Sequence, residues 1–226
     1  MSVAGLSAVW SAKGGVGTTV VSFGVAHNSS ERLQREVLLV DLGGDLPAVL
    51  GLPDPTFGLT DWLAAGDDAS ISSLARLERS TPTNGVSLLP RGSGAGFPRD
   101  RVGALLGLLT TDDRQVIVDV GVPGCNGESV EFLQRSLIDA AQSSLLVTRP
   151  CYLALRRALH VGHRPTGVIL VQEPHRSLER DDVEAVIGVP VVAVVGVDRS
   201  VSRGVDAGTL AANPPRLLLK PLRRVA

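Results

Sequence analysis

Residues 11 to 22 read SAKGGVGTTVVS. A short apolar run, LSAVW, stands directly before them, and a helix-compatible stretch, TTVVSFGVAHNSSERL, begins at Thr18 and runs to Leu33. Strand, glycine-rich turn and helix in that order aim several backbone N–H groups, and the positive end of a helix dipole, at one point. Such a point binds anions. Gly14, Gly15 and Gly17, with Val16 among them, permit the tight path and the close approach of phosphate to backbone. Thr19 stands where a loop of this kind places the hydroxyl that holds Mg²⁺. Lysine is expected immediately before that hydroxyl, and this chain has Thr18 there. The stretch predicts phosphate binding with an altered balance of charge.

Outward from the loop, aliphatic runs alternate with amphipathic segments. EVLLVDL, GVSLLP, QVIVDVG, SSLLVTRP, TGVILVQ and VPVVAVVGV are too short for helices and rich in β-branched residues. Between them lie helical patterns such as SVEFLQRSLIDAAQ and ERDDVEAVIG. The alternation predicts an α/β fold, a doubly wound and mostly parallel sheet of about seven strands with helices on both faces. Composition agrees: 44% of the 226 residues are hydrophobic but only 3% aromatic, so Val, Leu, Ala and Ile fill the interior. The glycine-rich RGSGAGFPRD, residues 91–100, is expected as a surface loop, leaving one domain over 1–226 with a basic, leucine-rich tail over 212–226.

The formal net charge of −1 gives no global drive toward nucleic acid. Two isolated cysteines, Cys125 and Cys151, suggest reduced packing residues rather than a disulfide framework. The first apolar run is short and leads straight into the glycine loop, unlike a signal peptide. The expected location is the cytoplasm, with the inner membrane surface a further possibility through the tail.

KGGVG followed by two hydroxyl residues resembles the deviant phosphate-binding loop of the MinD/ParA family of ATPases. VLLVDL with AVLGL and GLTDWLAAG, VIVDVGVPG, and VAVVGVDRSVSRGVDAG are similar to further segments of that family, so the likeness extends over nearly the whole chain. GGVGTT and VLLVDLGGDLPAVLGL look most like CpaE/TadZ, which position tight-adherence pili. The resemblance implies Mg²⁺ with ATP or ADP, sandwiched in a homodimer, and a protein partner in pilus or division machinery. It implies that Lys13 reaches the phosphates of the partner copy, and that Asp41 and Asp119 serve Mg²⁺ and the switch segments. Relatives carry Asp-x-Asp after the second strand, whose second carboxylate positions the attacking water. This chain reads Asp41-Leu42-Gly43, with Asp45 two residues beyond.

Phosphoryl transfer depends on positioning and electrostatics, and losing one well-placed stabilising group costs about 10²–10³ in rate. With Thr18 and Gly43 in place of two charged groups, hydrolysis is expected to be slow or absent unless Lys13 and Asp45 compensate. Gln172, Val197, Asp198 and Arg199 are candidates for contact with the base. Asp41 and Asp119 are also read as strand-end residues that cap turns. His160 and His163 lack a supporting ligand cluster and are expected in a solvated loop. Arg149, Arg156, Arg157 and Arg164 form either a phosphate-contacting stripe, as in DNA-partition ATPases, or a solvated helix face. RLLLKPLRRVA, residues 216–226, either contacts a membrane surface or docks on the protein's own core. A degenerate scaffold that works through protein contacts, without nucleotide, is the alternative to the nucleotide switch.

Overall fold

The computed structural model describes residues 5–66, 69–94, 97–125 and 127–225. Its centre is an eight-stranded sheet, one strand more than the runs predict. The order is β3(Arg79–Ser80), β4(Val86–Leu89), β2(Val37–Asp41), β5(Gln115–Gly121), β1(Leu6–Trp10), β6(Ser143–Thr148), β7(Gly167–Gln172) and β8(Val191–Gly196). All neighbours are parallel except β3 with β4. The extra strand is that antiparallel β3, two residues long and carrying no apolar run to announce it.

Continuous aliphatic runs form the inner strands because both faces of the sheet are covered. β2 and β4 are buried at every position. On one face, side chains from α5(Asp100–Thr110), α6(Glu128–Ala140), α7(Tyr152–His160) and α8(Arg180–Ile187) pack with Trp10, whose indole N–H donates to Ser144 Oγ at 2.9 Å. On the other, α1(Thr18–Leu33), the short α2(Leu46–Val49) and α10(Arg216–Leu222) cover Val9, Leu39, Ile117 and Ile169. The remaining helices are α3(Leu59–Ala64), α4(Ile71–Ala75) and α9(Arg199–Asp206). No helix among the described residues is long and apolar enough to cross a membrane.

The basic tail forms α10 and folds onto the protein itself. Leu218 and Leu222 are buried, and Asn28 of α1 donates from its side-chain amide to the Leu219 carbonyl at 2.8 Å. Pro221 is tolerated within this last short helix. Burying two leucines is worth about 1.5–3 kcal/mol each. Ala226 and two residues of the 91–100 loop, 95 and 96, lie outside the described residues.

The chain leaves β1 toward β2 on one side, and leaves β5, beside β1, toward β6 on the other. Open α/β sheets bind ligands at such a reversal, outside the carboxyl ends of the strands.

Candidate functional site

The loop over residues 11–17 occupies that reversal. Ser11 N donates to the Gly121 carbonyl at 2.9 Å, which ties the loop to the end of β5. Val16 is buried beneath it and anchors it to the core. Gly15 and Gly17 have φ of +74° and +97°, a region that L side chains rarely adopt, so glycine is required at both. A Cβ on Gly14, Gly15 or Gly17 would meet no atom within 4 Å. The space over the loop is open. Gly17 caps α1 without a side-chain hydrogen bond, and no acidic residue stands in the first turn. The first N–H groups of α1 therefore receive no side-chain cap from that position.

A cavity of about 600 Å³ lies over the loop, lined by Ser11, Gly14, Gly15, Gly17, Thr18 and Thr19, and across from them by Gly43, Asp45, Gly121 and Cys125. Its described lining contains no lysine or arginine, and Lys13 is not part of it.

Behind Gly43 lie Asp41 and Asp119, paired in register at the ends of β2 and β5 and both fully buried. Asp41 Oδ1 accepts from Gly44 N at 2.7 Å, and Asp119 Oδ1 accepts from Ser22 Oγ at 3.2 Å. The Oδ2 atoms of both, and Ser11 Oγ, are buried without a partner. Burial raises the Asp41 carboxyl to about 7, with the neighbouring Asp119 adding to the rise. Burial raises Asp119 to about 6, against the hydroxyls of Thr19 and Ser22 that hold it down. Two buried carboxyl oxygens without donors, from residues paired on adjacent strands, together with the Thr19 hydroxyl at the start of α1, are an oxygen donor set of the kind a hard divalent cation takes. The residues fit Mg²⁺ and phosphate. Asp45 lines the cavity and raises the pKa of both buried carboxyls, which places its charge within electrostatic reach of them.

A second cavity, about 290 Å³ and mostly apolar, adjoins the first and shares Gly17, Val20, Val205 and Asp206 with it. Val197 and Asp198 line it. Asp198 caps α9 by accepting from Ser200 N at 2.7 Å, and the Ser200 donors keep its carboxyl below the usual range. Gln172 and Arg199 are not among its lining residues. The Gln172 carbonyl accepts from Val197 N at 3.1 Å, while its side-chain amide turns to the Glu173 carbonyl. Sequence reasoning missed Arg149 here. It lines this cavity, paired with Glu173, instead of joining the exposed Arg156, Arg157 and Arg164 in a stripe. Its only signal was its place one residue beyond an apolar run.

His163 differs from the expected solvated loop residue. Only 8% of its side chain is exposed, its Nδ1 donates to Asp139 at 2.8 Å, and its Nε2 accepts from Arg135. The environment is structural: the ring also stands edge-on to Trp10.

Against known proteins, no family model matches the chain, and no curated protein sequence matches it. Solved structures do. A ParA family ATPase from Chlorobium tepidum TLS superimposes with a TM-score of 0.78 at 21% identity, covering 99% of this chain and 97% of that one. The septum site-determining protein MinD of Pyrococcus horikoshii OT3, complexed with Mg-ADP, gives 0.76 at 22% identity, covering 97% and 93%. The fold is that of the MinD and ParA ATPases. The MinD cell division protein of Aquifex aeolicus shares it too, with a TM-score of 0.73 at 16% identity over 98% and 97%. Identities this low establish the MinD/ParA architecture of the chain and no more than that.

Proposed function

We propose that this protein is an ATP-binding switch of the MinD/ParA type. Mg-ATP or Mg-ADP occupies the two adjoining cavities and controls association of two copies, and the dimer positions or assembles a cellular structure such as a pilus, the division machinery or a partition complex. The observation that carries this reading is the open cavity over Gly14, Gly15 and Gly17, with unpartnered Asp41 and Asp119 oxygens behind its far wall.

In this reading the loop N–H groups, Thr18 and Thr19 hold phosphates, and Thr19, Asp41 and Asp119 hold Mg²⁺. Val197 and Asp198 flank the base, with Gln172 and Arg199 at its margin. Lys13, outside the cavity of its own chain, serves the partner copy. Bound Mg²⁺ offsets phosphate charge, and this chain's groups orient the nucleotide and exclude water. Hydrolysis is slow or absent, because Gly43 carries no carboxylate to position a water and Asp45 stands further along the loop. Occupancy is then the signal. Contact of the tail with a membrane would require Leu218 and Leu222 to leave the core. A CpaE/TadZ-like role in pilus placement is the narrower form of the proposal.

One observation favours a second reading, a scaffold without nucleotide: no cation is found in the described lining of the larger cavity, while Asp45 and Asp206 are. Thermal melting with Mg-ATP, Mg-ADP and a non-hydrolysable analogue, with sizing by light scattering, decides between them. A ligand bound only to the folded state raises the melting temperature. A rise, with ATP-dependent dimerisation lost in Lys13→Ala, supports the switch; no rise at millimolar nucleotide leaves the scaffold.

A further inference from the structure

A polyphosphate entering the larger cavity would meet Thr18 where a lysine is expected, the acidic Asp45 and Asp206, and no basic side chain of its own chain among the described lining. One guanidinium stands just outside the wall. Arg91 follows β4, the neighbour of β2, and its Nη1 lies 3.5 Å from the point where a side chain on Gly44 would begin. Gly44 sits between Gly43 and Asp45, both of which line the cavity.

The base of this side chain is fixed and its head is not. The Arg91 carbonyl accepts from Thr60 N at 2.8 Å and from Thr60 Oγ1 at 2.9 Å, and the Pro90 carbonyl accepts from Leu59 N at 2.9 Å. The Arg91 guanidinium has no ion pair or hydrogen bond among the described residues. Several of the arginines nearer the strands are engaged: Arg114 with Glu78 and Asp112, Arg149 and Arg176 with Glu173, Arg180 with Glu184. An arginine on a pinned backbone, with its donors unspent, is suited to bidentate capture of a phosphate.

We propose that Arg91 binds the terminal phosphate of the nucleotide from the β2–β4 side, supplying in the same chain the positive charge that Thr18 does not. The inference rests on the nucleotide reading above.

The test is calorimetric titration of the full chain, as wild type, Arg91→Ala and Arg91→Lys, with Mg-ADP and with a magnesium-bound non-hydrolysable ATP analogue. A charged hydrogen bond of this kind corresponds to about 10- to 100-fold in affinity. Arg91→Ala is expected to lose that much for the analogue and less than about twofold for ADP, with Arg91→Lys between, since an ammonium lacks the planar fork. Equal losses for both nucleotides would overturn the assignment to the terminal phosphate. An unchanged analogue affinity would overturn any role for Arg91 while leaving the nucleotide reading intact. A wild type that binds neither nucleotide would sink that reading, and Arg91 with it.

Discussion

Asp41 and Asp119 stand opposite one another at the carboxyl ends of adjacent parallel strands, each with one oxygen hydrogen-bonded and one without a partner. The sheet places two like charges side by side, out of water, where ionising both is costly. Folding alone does not reward this arrangement. A cation at the site would.

The pH dependence follows with a definite sign. Burial raises Asp41 to about 7 and Asp119 to about 6, above the 3.8 of an unfolded carboxyl. Between the unfolded value and the raised ones the folded state binds more protons than the unfolded, so stability falls as pH rises through that window. In Asp41→Asn the amide oxygen can still accept from Gly44 N, and no charge remains to bury. Without ligand this variant should match wild type in stability at about pH 3.5, below the unfolded carboxyl value, and exceed it at pH 8 by on the order of a few kcal/mol. Denaturant unfolding at the two pH values measures the difference. A difference that does not change with pH would mean that Asp41 ionises without penalty.

Restoring both charged groups should restore chemistry. Position 18 lines the cavity, and a Cβ at Gly43 would meet Asp119 Oδ2 at 3.4 Å, an ordinary contact. Thr18→Lys alone is expected to tighten nucleotide binding without giving turnover. Thr18→Lys with Gly43→Asp should raise the rate of phosphate release by about 10²-fold or more over wild type. A colorimetric phosphate assay reads this directly. A double variant as slow as wild type would show that the lost activity lies elsewhere.

Gly51 joins two walls of the larger cavity. Its φ is +71°, and a Cβ there would stand 2.0 Å from the Gly208 carbonyl oxygen. Gly51 follows α2, which supplies Ala48 and Val49 to the lining, and Gly208 follows α9, which supplies Val205 and Asp206. Gly51→Ala combines a disfavoured backbone conformation with a backbone collision, so the expected loss is about 3 kcal/mol or more. Urea unfolding measures it. A loss under about 1 kcal/mol would mean that the two segments separate freely.

The tail offers a fourth check. Leu218→Ser places a hydroxyl among Val16, Val21 and Val195, without a designed partner. It should loosen α10 from α1, admit trypsin at Arg216 or Arg223 in the native protein, and weaken binding of any ligand in the smaller cavity. Resistance equal to wild type would place the tail's anchorage in Leu222 and Asn28 instead.

The sequence revealed most where periodicity or loop chemistry is local. The glycine loop, the extent of α1 and the strand ends at Asp41 and Asp119 were legible because each is set by residues adjacent in the chain. Arg91, Arg149 and His163 were not, since their roles arise from strands that meet only in the folded sheet. Arg149 and Glu173 pair because β6 lies beside β7, and no spacing encodes that. β3 escaped notice because two polar residues forming an edge leave no pattern. The base-side candidates divided for a similar reason: Val197 and Asp198 lie on the loop between β8 and α9 that borders the smaller cavity, whereas Gln172 ends a strand and turns its amide away.

α9 is the partition between the two cavities, since Val205 and Asp206 face both, yet none of its residues is buried. Its fixed points are a cap at Asp198, the half-buried Val201 and Val205 against the core, and the backbone meeting of Gly51 with Gly208. A helix so placed gains further packing from whatever fills the space on either side. Its amide hydrogens should therefore exchange with solvent early in the empty protein and late in the filled one, making this short segment a gauge of occupancy that a binding partner could read from outside.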